Sequence, residues 1–395
     1  MHHGRHIGVL LSWLIVSLSL QLPSSAGEDT TLNVDNEKAV HPGQVDVVVI
    51  GCAHLMYLDP SDVPATDDIL RALQEYEPDH MVVEWLHPSI DPASVDRYEP
   101  LGDLGTLARL WGYDLVNVEA TLAETRTDLD SLKANGLPEA AIRIEMGKLY
   151  YLGTDQLNAG YQWWIARNLG ANVKDLERLT QNNFEGHELE VFGFAIARRE
   201  GLEYITPFDY EGEDALWDFG AVLNRTVEHA IKTKHGLKDG DKGFDEVAGE
   251  FGKAFQAWLN SGDGAFLDQY GSIKEIVELV RFFDDRKKTE EANQRIKDAT
   301  GIAAMRFNQS AEHMEQERHG YYDVIAGLSI DGLGRRLVGN FELRNRYMVD
   351  FLEQDIRELG SKRVMVIVGA GHKLFLEKIL RERGYRIVPS MDFMP

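Results

Sequence analysis

Cysteine is almost absent, since Cys52 is the only one in 395 residues. A lone thiol forms no intramolecular disulfide and builds no zinc site of several thiolates. Positive charge is scarce too, with 41 lysines and arginines against 65 aspartates and glutamates, a formal net charge of −24. Such a field repels polyanions, so neither a nucleic-acid partner nor an anionic membrane surface is expected. Beyond the N-terminal region no apolar run is long enough to cross a bilayer. Repeats and low-complexity stretches are missing. What remains, 44% hydrophobic and 27% charged residues, is the composition of a globular protein with a full core.

The one long apolar run, Ile7 to Leu20, follows His2, His3, Arg5 and His6 and precedes Pro23-Ser24-Ser25-Ala26. A basic start, a short apolar centre and small residues at the cleavage positions predict a signal peptide, residues 1–26, and a secreted or periplasmic product. Ser12, Ser17 and Ser19 interrupt the run, which is short for a span needing about 20 apolar residues. No membrane attachment is therefore expected after cleavage. A polar linker, 27–44, comes next.

The remaining residues, 45–395, are expected to form a single α/β domain with a central, mainly parallel sheet and flanking helices. Val45 to Ile50 is a β-branched run too short for a helix and reads as a buried strand. A helix opening at Thr66 or Asp67, with Ile69, Leu70 and Leu73 on one face, leads to the strand Met81-Val82-Val83, which ends at Glu84. Leu104, Leu107 and Leu110 mark another helix, and Leu115 to Val118 a strand ending at Glu119. Such alternation of strands and helices specifies βαβ units. A large helical insertion is expected at about 132–340, broken by a strand from Leu202 to Phe208 with Asp209 just past it. Arg363 to Val368 is a strand, Gly369 to His372 a turn, Lys373 to Arg383 a helix and Tyr385 to Val388 the last strand.

One element occurs twice: a β-branched strand runs into Gly-x-x-His at Gly51 to His54 and again at Gly369 to His372. Ligands of open parallel sheets sit outside the carboxyl ends of the strands, so these two histidines can meet despite their separation in sequence. The glycines are expected to supply a sharp turn at positive φ. Glu84, Glu119 and Asp209 occupy comparable strand ends. Imidazole with carboxylate is a ligand set for zinc, manganese or iron, and three protein ligands leave a position for water. On the late helix Phe341, Asn345, Met348, Leu352 and Ile356 share a face, with Arg344 at its edge. An asparagine on an apolar stripe needs a partner, which makes Arg344 and Asn345 donors to a site carboxylate or a substrate oxygen.

Gly-x-x-His after the first strand, Val82-Val83-Glu84, Arg344-Asn345-Arg346-Tyr347-Met348 and Val368-Gly369-Ala370-Gly371-His372, in that order, resemble the Tiki/TraB/GumN-like superfamily, which includes erythromycin esterases and haem-binding ChaN-like proteins. The resemblance covers Val45 to Glu119 and Phe341 to Val388; the stretch between is longer than in TraB-like proteins. It implies a metal-dependent peptidase or esterase, with His54, Glu84 and His372 at a divalent ion such as zinc or manganese. It further implies Arg344 and Asn345 as a supporting pair and Glu119 as a second glutamate. Bound water would attack a small-molecule or peptide substrate, with Glu119 or Asp209 moving the proton and Arg344 facing the oxyanion. The alternative is a non-catalytic haem- or metal-binding protein using the same histidines.

Other motifs read as structure. His313 to His319 lacks the His-Glu-x-x-His order and reads as a solvated helical face. Gly369-Ala370-Gly371 lacks the third glycine and the following βαβ unit of a dinucleotide fingerprint. Cys52 reads as a buried inert thiol, and His87 as a loop residue before Pro88.

Overall fold

The computed structural model describes residues 42–52, 66–90, 103–127, 136–182, 184–210, 215–238, 241, 243–261, 265–270, 273–276, 302–327 and 333–395. The expected signal peptide, most of the linker and His54 lie outside them. In chain order the elements are β1 (Asp46–Cys52), α1 (Thr66–Gln74), β2 (His80–Leu86), α2 (Leu104–Trp111), α3 (Val118–Thr127), α4 (Glu139–Leu152), α5 (Gln156–Asn168) and α6 (Lys174–Thr180). A π-helical segment, Leu189–Phe194, runs into α7 (Ala195–Arg199), followed by β3 (Thr206–Asp209), α8 (Ala215–His235), α9 (Phe244–Ser261), α10 (Ala265–Gln269) and α11 (Ile302–Gln309). After α12 (Ala311–Arg318) and a second π segment, His319–Ile325, come α13 (Leu333–Leu359), β4 (Arg363–Gly369), α14 (Ala370–Glu382) and β5 (Arg386–Val388).

The described chain forms two compact units. One is helical: α8, α9, α10, α12 and the first part of α13 up to Arg344, with Phe251, Phe255, Trp258, Phe266 and Tyr270 stacked in its interior. The other holds the sheet, helices α1 to α7, α11, α14 and α13 from Asn345 onward. The helical stretch expected at about 132–340 is therefore divided, with α4 to α7 belonging to the sheet unit.

The sheet is parallel throughout, in the order β3-β2-β4-β1-β5, and the α/β expectation holds. Strands β1 and β4, two of its three inner strands, are buried on both faces, as their valine-rich sequences require. Period-two alternation sorts the side chains: Val48, Ile50, Cys52, Val83 and Ile367 pack under α1, α5 and the first π segment. Val47, Val49, Val82, Val366 and Val368 pack under α13 and α14.

The connections locate a crevice. From β1 the chain passes through α1 on one face to β2, beyond β4; from β4 it passes through α14 on the opposite face to β5, beyond β1. The adjacent strands β1 and β4 thus send their continuations in opposite directions, which makes their carboxyl ends the topological switch point of the sheet. Cys52 pairs with Gly369 there.

Three local expectations are corrected. Leu115 to Val118 is not a strand: Leu115–Asn117 is a 3-10 turn capped by Asp114, whose carboxylate accepts from Val116 N at 3.1 Å, and Val118 opens α3. Val116 is 88% exposed, so a short apolar run without a covering layer takes the capped turn instead. Gly369 to His372 is not a free turn, because α14 begins at Ala370 with Gly369 as its N-cap at φ −54°. Neither Gly51 nor Gly369 has positive φ. Gly51 is required by close approach: a Cβ there would lie 3.2 Å from Ala370 Cα and 3.4 Å from Asn308 O.

Candidate functional site

Glu84 is not the last residue of its strand. It lies in an irregularity of β2, where Val83 pairs with Pro207 but Leu86 with Asp209, so three steps along β2 match two along β3. Period-two alternation nevertheless continues through it, with Met81 and Val83 on one face and Val82 on the other. Trp85 joins the face that carries α1, while the Glu84 carboxylate meets the start of α14 and accepts from Gly369 N at 2.6 Å. The anion thereby caps a helix N-terminus, where unpaired N–H groups and the helix dipole favour it.

His372, in the first turn of α14, is 4% exposed. Its Nδ1 lies 2.9 Å from Asn345 Oδ1, and its Nε2 lies 3.3 Å from Glu84 Oε1. Asn345 is fully buried on the face of α13 that also carries Met348, Leu352 and Ile356, as its spacing predicts. With the amide oxygen towards the ring, Nδ1–H donates and Nε2 presents its lone pair to the carboxylate, an arrangement that suits a metal ion between them; with the amide turned over, Nδ1 accepts and Nε2–H donates to Glu84 directly.

The spacing suits either. Two ligands about 2.0–2.2 Å from a tetrahedral ion lie about 3.3–3.5 Å apart, the separation seen between Nε2 and Oε1. Among the described residues no three His, Cys, Asp or Glu side chains form a complete ligand set. Of the three expected ligands, Glu84 and His372 are brought together and the third, His54, is outside the described residues.

Around this pair the strand ends form a row. Asp209 closes β3, is fully buried, and accepts from His87 N at 3.0 Å through its carbonyl. The His87 ring stacks on Phe351 with centroids 3.9 Å apart, and burial lowers its pKa to about 4, so it is neutral at pH 7. Tyr210 packs against Tyr347 at 4.4 Å. Cys52 is buried as expected, its thiol pushed up first by desolvation and then by the charges of Glu188 and Glu84.

The other expected residues are placed elsewhere. Glu119 sits exposed in the first turn of α3, off the sheet, because its expected strand does not form. Arg344 is buried on α13 within the helical unit. His313 and Glu317 correct the expectation of a solvated face: they are 1% and 0% exposed, with Nε2 and Oε1 3.7 Å apart inside the helical unit, while Glu315 and His319 are exposed.

Sequence reasoning missed three residues here. Among the described residues the outer edge of β1 has no strand partner beyond Val48, since β5 pairs with Asp46, Val47 and Val48. Side chains replace the missing strand: Gly51 N donates to Gln309 Oε1 at 3.1 Å, Gln309 Nε2 donates to Gly51 O at 2.7 Å, and Lys373 Nζ donates to Val49 O at 2.6 Å. Burial lowers the Lys373 pKa against the opposing charge of Glu377. The third, Glu188, is a buried carboxylate at the start of the first π segment.

Fold and site together define a parallel α/β protein with an imidazole–carboxylate pair at the switch point of its sheet. No protein-family model, curated protein or solved structure matches the chain.

Proposed function

We propose that the protein is an exported, metal-dependent hydrolase that cleaves an ester or amide bond in a small molecule or peptide. The observation that carries this reading is the approach of His372 Nε2 to Glu84 Oε1, 3.3 Å apart, with Nδ1 already committed to Asn345. Its place beside β1 and β4 adds support, because His54 follows Cys52 by two residues and Cys52 pairs with Gly369. The motif order shared with the Tiki/TraB/GumN-like superfamily agrees with it.

His372, Glu84 and His54 would hold the ion, which when bound supplies a water of pKa about 7 as nucleophile. Asn345 holds the imidazole in the tautomer that presents Nε2. Gly369 N–H keeps one carboxylate oxygen of Glu84 anchored while the other faces the ring.

Elemental analysis of the purified full chain tests the reading, alongside hydrolysis of an ester and peptide panel. Zinc, manganese or iron near one equivalent is expected, with both ion and turnover lost in Glu84→Gln and His372→Ala at preserved helicity. Full activity in both variants overturns it, and a Soret band without hydrolysis establishes the haem-binding alternative instead.

A further inference from the structure

The turn that follows β2 sets a serine hydroxyl on an imidazole. His87 N donates to Asp209 O at 3.0 Å, which ties the start of the turn to the end of β3, and Ile90 N donates back to His87 O at 2.9 Å to close it. Within the turn Ser89 Oγ lies 2.7 Å from His87 Nδ1, and Ser89 N donates to the same nitrogen at 3.3 Å. A ring nitrogen that accepts an N–H carries no proton, so the neutral ring is protonated on Nε2 and the Ser89 hydroxyl is the donor to Nδ1. Turning the ring over would set a C–H against both groups.

Three features hold this geometry. The His87 ring lies flat on Phe351, with 3.9 Å between centroids and 1° between planes, which fixes the orientation of the imidazole. Burial keeps the ring neutral at pH 7, the form that accepts a proton. Thr154, between α4 and α5, takes φ +68°, a strained conformation for a β-branched residue, and its hydroxyl donates to Pro88 O at 3.3 Å, pinning the residue between the two partners. Ser89 itself is exposed, at the carboxyl edge of a parallel sheet, where the ligands of such sheets bind.

We propose that Ser89 and His87 are a nucleophile–base pair that transfers acyl groups through a covalent Ser89 ester. Closing the turn needs only the Ser89 N–H, yet the exposed hydroxyl gives up water for the same nitrogen, the relation of a serine nucleophile to its base. The inference goes beyond the metal reading, since neither residue belongs to the ligand set expected there. In the first step Oγ bonds to the carbonyl carbon of an ester or amide while its proton passes to Nδ1. The departing alkoxide or amine takes that proton as the C–O or C–N bond breaks. Water then bonds to the acyl carbon and gives a proton to Nδ1, and the proton returns to Oγ as the carboxylic acid leaves.

Diisopropyl fluorophosphate tests the pair, because an activated serine forms an Oγ–P bond with it and releases fluoride. The full chain is treated with the reagent, with and without EDTA, and the adduct is located by peptide mass spectrometry. The expected result is an adduct on Ser89 that forms at the same rate in both conditions and is absent from Ser89→Ala and from protein unfolded in urea. His87→Phe keeps the flat stack on Phe351 and removes the base, so labelling should slow about 100–10,000-fold at an unchanged melting temperature.

No adduct on Ser89 in the wild type overturns the proposal, and so does labelling of His87→Phe at the wild-type rate. Labelling that stops in EDTA overturns it too, by making Ser89 dependent on a metal. Should His87→Phe fail to fold, His87→Gln offers the hydroxyl an amide acceptor without basicity; slowed labelling there supports the proposal and the wild-type rate overturns it. The metal reading stands or falls separately, on the ion content of the purified protein.

Discussion

Asn345 and His372, 27 residues apart on consecutive helices of the sheet unit, share a buried hydrogen bond of 2.9 Å that decides which imidazole nitrogen faces Glu84. Replacing Asn345 by leucine leaves Nδ1–H without its acceptor and frees the ring to adopt the other tautomer. The expected outcome is a 10–100-fold loss of zinc affinity in chelator competition. Urea unfolding should show a stability loss of about 1–3 kcal/mol for the unsatisfied buried group. Asn345→Asp keeps an acceptor at the same place and should retain most of the affinity. Equal zinc affinity in wild type and Asn345→Leu would remove the orienting role.

Gln309 acts as a one-residue strand. Its amide closes both bonds of the Gly51 peptide, and Met305 O accepts a further bond from Nε2 at 3.0 Å. Gln309→Leu preserves bulk and leaves a buried N–H and a buried C=O unpaired, at about 1–3 kcal/mol each. The midpoint of urea unfolding should fall with its slope unchanged. A midpoint within error of wild type would mean that water or another side chain replaces the amide.

Gly51→Ala tests the close approach of β1 and α14. The added methyl would press on Ala370 Cα, a backbone atom, and on Lys373 Cδ. Overpacking of this kind costs about 1–3 kcal/mol. Because α14 carries His372, the start of that helix should shift, and the variant should lose metal affinity along with stability. A variant with full stability and affinity would show that β1 tolerates a side chain there.

These residues also show what sequence can and cannot reveal. The Val45 and Arg363 runs are legible because strands buried on both faces need unbroken β-branched residues. Asn345 is legible because an amide on an apolar stripe demands a partner. Glu84 is legible as an acid beside a strand, and alternation with Val82 and Val83 already assigns its face, although the register shift against β3 leaves no local mark. Leu115 to Val118 misleads because apolar content alone does not distinguish a strand from a capped turn that no layer covers. His313 and Glu317 mislead in the opposite sense, since burial of a polar helix is set by its neighbours. Gln309 is silent because its role depends on a strand far away in the chain; it meets Gly51 across 258 residues.

At the other end of the sheet, His80 Nε2 lies 2.8 Å from Thr206 Oγ1, and Thr206 also hydrogen-bonds Asp355 on α13. Burial, reinforced by Glu358, raises the Asp355 pKa from 3.8 to about 6, while burial lowers that of His80 from 6.5 to about 4. The two act with opposite sign. Between pH 6 and 4 the folded state holds a proton on Asp355 that the unfolded chain releases, so this group adds stability as pH falls. Between pH 6.5 and 4 the unfolded chain protonates His80 and the folded state does not, so that group removes stability over nearly the same window. Asp355→Asn abolishes the first effect and keeps an acceptor for Thr206. At pH 7, where the wild type carries a penalised carboxylate, the variant should be more stable by about 1–3 kcal/mol. Its advantage should shrink as pH falls through 6 and vanish near 4, leaving a steeper acid loss than in wild type. Urea unfolding of both proteins at pH 4, 5, 6 and 7 measures the difference, and a variant less stable at pH 7 than at pH 4, relative to wild type, would reverse the assigned sign.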